Sequence, residues 1–155
     1  MRSHGGDGLR QASEDAVLNA NYLRASLSEY MSLAFGEDHI CMHEVLFDDG
    51  FLKGTGVTTL DFAKAMIDEG FHPMTVYFPL IVHGAMLVEP TESESKASLD
   101  QFIEVMIALT KRAKEGQSAD FASAPLFTPR GRLDETGAAR RPILRWLPKK
   151  ETLTE

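Results

Sequence analysis

The sequence has little of what stabilises or anchors a protein outside the cytoplasm. Its 155 residues contain one cysteine, Cys41, so no disulfide forms within the chain, as is typical of proteins in a reducing compartment. No apolar run approaches the length that spans a bilayer. The opening stretch MRSHGGDGLRQ also lacks the apolar stretch of a signal peptide. These absences predict a cytoplasmic protein with no membrane partner.

Charge is unevenly distributed along the chain. The net charge is -7, but Arg130 to Lys150 contain seven basic and two acidic residues, a local charge of +5 that leaves -12 elsewhere. Trp146 is the single aromatic residue in this basic stretch, too few for an interleaved pattern, and the acidic remainder would repel phosphate, so no nucleic-acid partner is expected. The asymmetry predicts that the basic stretch docks on an acidic surface, either on the same chain or on another protein.

No single motif forms a complete active site. The stretch KGTGVTT carries its lysine before the glycines, whereas a phosphate-binding P-loop carries its lysine after them. His39, Cys41 and His43 alternate along a predicted strand, but no fourth zinc ligand follows nearby, so no metal site is predicted. Because neighbours on a strand point to opposite faces, His43 and Glu44 are not expected to act as a pair. Either one alone can still reach a site that another domain completes.

Hydrophobic periodicity predicts one α+β domain, a two-layer sandwich in the order αβαββα. A long first helix runs from Leu9 toward Gly36, and a strand covers His39 to Phe47. A second helix follows, capped by Thr58 or Thr59, then two short strands and a third helix. We assign residues 1–8 to a disordered or linker segment, 9–116 to the small α/β domain, and 117–155 to an extended basic C-terminal arm.

The stretch VEPTESES marks the start of the third helix. Pro90 ends the preceding strand because it has no N–H to donate. Thr91 and Glu94 have the spacing of a capping box, in which each side chain accepts from a free N–H of the first turn. Upstream, the asparagines of NANY (Asn19 to Tyr22) lower helix propensity. They are expected to face either another polar surface or solvent.

Several stretches resemble the C-terminal part of the glycine cleavage system P-protein, the glycine dehydrogenase (decarboxylating), and in particular its split bacterial subunit 2. The likeness extends from about Gly5 to Trp146 and is most specific in LNANYL, GFHP and EPTESE, in that order. Three positions depart from the pattern expected of the family: His83–Gly84 in place of a Pro-Glu pair, Met74 in place of a second proline, and Phe127 in place of a histidine.

This resemblance implies the small C-terminal domain of a fold-type-I, pyridoxal-phosphate-dependent oxidoreductase of glycine catabolism. The family decarboxylates glycine and passes the aminomethyl group to the lipoyl arm of the H-protein. Its Schiff-base lysine lies upstream of the matching region, and none of the seven lysines here has a similar context. The chain alone is therefore expected to bind no cofactor and to be inactive, as an excised fragment or a short gene product. The alternative is a freestanding ligand-binding or protein-interaction module derived from that domain.

The resemblance also implies which residues and partners to consider. His43 and Glu44, together with His72 and Thr75, match family stretches and are candidates to face the cleft. Arg140 and Arg141 are candidates to bind a substrate carboxylate or an acidic carrier protein, since arginine binds carboxylates in a bidentate manner. Docking of the arm on the body is the competing role. The expected partners are the remainder of the P-protein, the H-protein, and further copies of this chain through an exposed apolar surface.

Overall fold

The computed structural model describes residues 2–36 and 38–146. Its elements are, in chain order, α1 (Gly5–Leu27), β1 (Val45–Phe47), a short 3-10 helix (Asp49–Leu52), α2 (Thr59–Asp68), β2 (Thr75–Val76), β3 (Met86–Val88), α3 (Lys96–Lys114), α4 (Ser118–Ser123) and α5 (Glu135–Arg140). Lys149 and Lys150, at the end of the predicted arm, lie outside the described residues. None of the described helices is both long and apolar enough to cross a membrane.

The three strands form one antiparallel sheet in the order β1-β3-β2, which confirms the predicted α+β class. β3 is central and pairs with both neighbours, with Val45 opposite Val88 and Thr75 opposite Leu87. α1 packs against α3 and β1, and α2 packs against α3 and β2. The core between these elements is built from large apolar side chains that are almost fully buried, among them Leu23, Leu27, Phe47, Phe62, Met66, Met86, Met106 and Leu109.

Two predicted boundaries are wrong, because α1 ends earlier and β1 begins later than the sequence predicted. α1 begins at Gly5, inside the segment assigned to a linker, and ends at Leu27 rather than near Gly36. The strand predicted from His39 is regular only over Val45–Phe47. Met42 and His43 lie in a bend, so the alternation predicted for His39, Cys41 and His43 does not occur.

α2 and α3 each begin at a side-chain cap, but only one of the two predicted caps is the observed one. Thr58 caps α2 in a reciprocal capping box with Asp61, as predicted. α3 begins at Lys96, where the Ser95 side chain accepts from the Ser98 N–H. Thr91 instead has a left-handed backbone (φ 60°). The capping box predicted for Thr91 and Glu94 is therefore wrong, because the turn after Pro90 is complete before the helix starts.

Replacing Ser95 by alanine is expected to lower the free energy of unfolding by about 1 kcal/mol, since the first turn of α3 loses its cap. Thr91→Ala is the matched control and should change it by less than about 0.5 kcal/mol, as expected for a substitution away from a cap. Urea denaturation of the two variants measures both values. A larger loss in Thr91→Ala than in Ser95→Ala would contradict the observed cap.

The predicted C-terminal arm is not extended throughout. Its first part forms α4, whose Phe121 is only 1% exposed and stacks on Phe62 with 6.2 Å between ring centroids. Arg132 holds the segment after α4 against the body. Its guanidinium donates to the carbonyls of Phe121 and Ala124 and forms an ion pair with the Asp61 carboxylate at 2.6 Å. This part of the arm therefore belongs to the core, and the division into domain and arm near residue 117 stays a prediction.

Candidate functional site

The antiparallel register brings three separate segments to one edge of the sheet. β1 and β2 both begin at this edge, and β3 ends there, because Val45 lies opposite Val88 and Thr75 lies opposite Leu87. In an antiparallel ladder the residues just before one strand face those just after its partner. Four of the six candidates predicted from sequence lie on this edge, together with Glu89: His43, Glu44, His72 and Thr75.

His43, Glu44 and Glu89 form a compact group at this edge. One ligand atom from each, an imidazole nitrogen or a carboxylate oxygen, lies within 4.8 Å of the others. The prediction that His43 and Glu44 cannot act together is wrong, because residue 43 lies in a bend and the strand starts only at Val45. Two carboxylates this close repel each other unless a cation lies between them. The group can therefore hold a positively charged partner.

Glu89 is the residue that sequence reasoning missed. The stretch EPTESE, which contains Glu89, is interpreted from sequence as a helix-capping signal. Glu89 instead directly follows Val88, the last residue of β3, and Val88 pairs with Val45 at the start of β1. This pairing places Glu89 next to the residues that precede β1. Among the described residues, this is also the one group of three or more potential metal ligands, and His39 and Cys41 do not join it. A pairing scheme for β1 and β3 is the signal that would have found it.

A cavity of about 410 Å³ lies on one side of the edge. Apolar side chains of Phe71, Leu99 and Phe102 form part of its wall. Its polar lining consists of hydroxyl, imidazole and carboxylate side chains: His72, Thr75, Glu89, Thr91, Glu94 and Ser98. The left-handed backbone of Thr91 is a strained conformation of the kind that accumulates at functional sites. The cavity suits a small ligand that presents hydrogen-bond donors or a positive charge.

A second cavity, of about 420 Å³, lies on the other side of β3, and Leu87 lines both. Its wall is mainly apolar, with Phe35, Ile40 and Phe78 among the lining residues. Glu44 belongs to this cavity, as does Cys41. Burial raises the pKa of the Cys41 thiol, which favours the neutral thiol over the nucleophilic thiolate.

Large apolar side chains surround the second cavity and point into solvent. We name this set the apolar patch: Phe35, Ile40, Met42, Phe78, Leu80 and Ile81, which are between 57% and 88% exposed. A fixed loop carries three of them, because Thr59 donates to the Gly84 carbonyl at 2.9 Å and His83 bonds Asp49 at 2.9 Å. The Asp49 carboxylate raises the pKa of His83. A concentration of exposed large apolar side chains is characteristic of a protein interface.

The two asparagines of α1 hold the loops on either side of the edge. Asn21 Nδ2 donates to the Cys41 carbonyl at 2.6 Å, and the Cys41 N–H donates back to Asn21 Oδ1 at 3.0 Å. Asn19 donates to the carbonyl of Thr91 at 2.8 Å. Of the two explanations offered by the sequence, contact with another polar surface is therefore correct. These side chains position the segments that lead into His43 and Glu89.

Replacing Asn21 by alanine is expected to lower the free energy of unfolding by about 1–3 kcal/mol, because a partly buried N–H and carbonyl of Cys41 lose their partner. Hydrogen exchange at the Cys41 amide should accelerate along with this loss. Asn19→Ala is the matched control, since it frees a carbonyl of the other loop and leaves the Cys41 amide bonded. Equal acceleration in both variants would contradict a specific role for Asn21.

Arg140 and Arg141 are not among the residues that line the two cavities. Both side chains are exposed at the C-terminal end of α5. The arginine that contacts the body from the predicted arm is Arg132. Hydrogen bonds from Thr58 and Arg132 outweigh the effect of burial and lower the pKa of Asp61, so this contact remains ionised at neutral pH.

Comparison with known proteins matches residues 12–126 to the family described as "Glycine dehydrogenase, C-terminal domain". A protein of Caulobacter vibrioides named "Probable glycine dehydrogenase (decarboxylating) subunit 2" is 67% identical over 148 residues, which is 96% of this chain and 28% of that protein. Proteins with the same name from Shouchella clausii and Kosmotoga olearia are each 50% identical, covering 99% and 95% of this chain. The chain spans about 30% of the length of each of these two relatives.

Proposed function

Because this chain belongs to the glycine dehydrogenase C-terminal domain family, we propose that it is the small C-terminal domain of a pyridoxal-phosphate-dependent glycine decarboxylase. In this proposal the parent enzyme of the glycine cleavage system releases the carboxyl group of glycine as carbon dioxide and transfers the aminomethyl group to the lipoyl H-protein. The observation that carries the proposal is the edge with His43, Glu44 and Glu89 beside an exposed apolar patch. A domain that closes over a site in a neighbouring domain needs both features.

The described residues do not fit pyridoxal phosphate. None of the described lysines lines either cavity. The Asp100 carboxylate and the Tyr22 hydroxyl raise the pKa of Lys96 to about 12, so its amine stays protonated and cannot form an imine. Arg24 is the one Lys or Arg in the lining, against three glutamates, a balance that disfavours a phosphate group. The cofactor, which supplies the electron sink when bound, is therefore assigned to the rest of the parent.

The proposed contribution of this chain is orientation, water exclusion and charge. His43, Glu44 and Glu89 would offer a proton acceptor or a cation-binding group at the mouth of the closed cleft. His72 and Thr75 would supply further polar contacts from the first cavity. The apolar patch would cover the cleft against water, which strengthens electrostatic interactions inside it. The chain alone is then inactive because it lacks the cofactor site.

The proposed partners follow from the same surfaces. The apolar patch would pack on the remainder of the parent or on its companion subunit, and in the isolated chain it would favour self-association. Arg140 and Arg141 line neither cavity, so their proposed role is contact with an acidic surface outside the cleft. The proposed location of the assembly is the cytoplasm.

A chimeric enzyme tests the proposal. It consists of the Caulobacter vibrioides relative with its matching C-terminal region replaced by this chain. With the companion subunit and lipoylated H-protein, its release of carbon dioxide from carboxyl-labelled glycine is expected to lie within about tenfold of the unmodified relative, since family-typical core substitutions are well tolerated. The isolated chain should release none.

The control is the relative truncated before the matching region, which should be inactive. A truncated relative as active as the complete one would show that the domain is dispensable and would contradict the proposal. A folded but inactive chimera would contradict it too, and would favour the freestanding ligand-binding or interaction module.

A further inference from the structure

Residues 140–146, which begin at the last residue of α5, have the composition of a docking segment. Ile143, Leu144 and Trp146 are 88%, 91% and 83% exposed, although large apolar residues favour burial. Three such side chains within four positions make this segment strongly apolar and exposed. Aromatic residues and arginine are the types most enriched at the centres of protein interfaces. We name this set of residues the docking segment.

Its arginines are unpaired within the described part of the chain. The side chains of Arg140, Arg141 and Arg145 are exposed and form no ion pair with any described residue. The sequence outside Arg130 to Lys150 carries a net charge of -12. Acidic groups are therefore plentiful on this chain, yet the described body does not engage the segment.

The starting point of the segment is held in place. Asp134 caps α5 by accepting from the Gly137 N–H at 2.8 Å. The Glu135 carboxylate oxygen Oε1 lies 3.9 Å from the Nζ of Lys64 in α2. Arg132 adds its contacts with Phe121, Ala124 and Asp61. The docking segment thus leaves the body from a defined position and presents its side chains outward, rather than following an unattached linker.

From these observations we propose that the docking segment inserts into an apolar groove rimmed by carboxylates on the remainder of the parent protein. This inference rests on the proposed function. That remainder is the occupant to expect, because the relatives named above are more than three times as long as the matched region. The groove must supply carboxylates for Arg140, Arg141 and Arg145, which bind such groups in a bidentate manner.

Photo-crosslinking in the complete chimeric enzyme tests this. Trp146 is replaced by p-benzoylphenylalanine, a photoreactive aromatic residue, and the crosslinked peptides are mapped by mass spectrometry. The expected product joins the segment to the part of the enzyme that precedes this chain. Arg145→Glu should lower the crosslink yield by about two- to fivefold, the effect of losing one exposed ion pair. Lys53→Glu, an exposed charge reversal elsewhere, should leave it unchanged.

Four results would overturn the inference. Three are crosslinks to another target: residues 2–116 of the same chain, a second copy in a mixture of isotopically light and heavy enzyme, or the companion subunit. The fourth is a yield no higher than without irradiation. Glycine decarboxylation by the same sample separates the two proposals. An active chimera with no crosslink to the remainder would contradict the proposed docking of this segment and would leave the proposed function supported.

Discussion

Replacing Phe121 by alanine is expected to lower the free energy of unfolding by about 3–5 kcal/mol, a large part of the 5–15 kcal/mol typical of a domain. The ring is 1% exposed, stacks on Phe62, and lies under the Arg112 guanidinium at 5.6 Å from the ring centroid. Truncation therefore leaves a cavity between α2, α3 and α4 and removes a cation–π contact. Urea denaturation of the isolated chain measures the loss.

Phe127→Ala is the matched control, because Phe127 follows α4 closely but is 84% exposed. Its expected effect is below about 0.5 kcal/mol, as for most surface substitutions. If Phe121→Ala and Phe127→Ala changed the unfolding free energy equally, α4 would not be part of the core. Residues 118–123 would then belong to an extended arm, as predicted from the sequence, and not to a helix packed on the core.

The second large effect is expected when Glu44 and Glu89 are both changed to glutamine in the chimeric enzyme. If the edge supplies a proton acceptor or a charge in the closed site, kcat for glycine decarboxylation should fall by about 10²-fold or more. Glutamine keeps the size of the side chain and removes its charge, so the unfolding free energy should change little. Release of carbon dioxide from labelled glycine, measured across pH, gives both kcat and the titration of the group.

Glu92→Gln is the control for this pair, because Glu92 is an exposed glutamate three residues beyond Glu89 that lines neither cavity. Its kcat should equal that of the unmodified chimera. A double variant with an unchanged kcat and pH profile would exclude a catalytic role for the carboxylates. Lower stability with an unchanged kcat would assign them to the structure of the edge.

Local signals in the sequence determined the class of the protein and its regular elements. In α3 the apolar residues recur every three or four positions, which defines one face of a helix, and this face supplies Leu99, Ile103, Met106, Leu109 and Ala113 to the core, with Phe102 partly buried beside it. Thr58 is also correctly predicted to cap α2, because its capping partner Asp61 is only three residues away in the sequence. The family was also identifiable from short stretches that need no fold.

Only the tertiary structure decided how the candidate site is assembled. The strands span two or three residues each, too few for an alternation pattern to reveal their register, and it is the register that brings Glu89 beside His43 and Glu44. Phe121 stacks on Phe62, and Asn21 hydrogen-bonds Cys41, across sequence separations that no local pattern encodes. The sequence thus determined the helices and the family, whereas long-range packing decided which polar side chains meet.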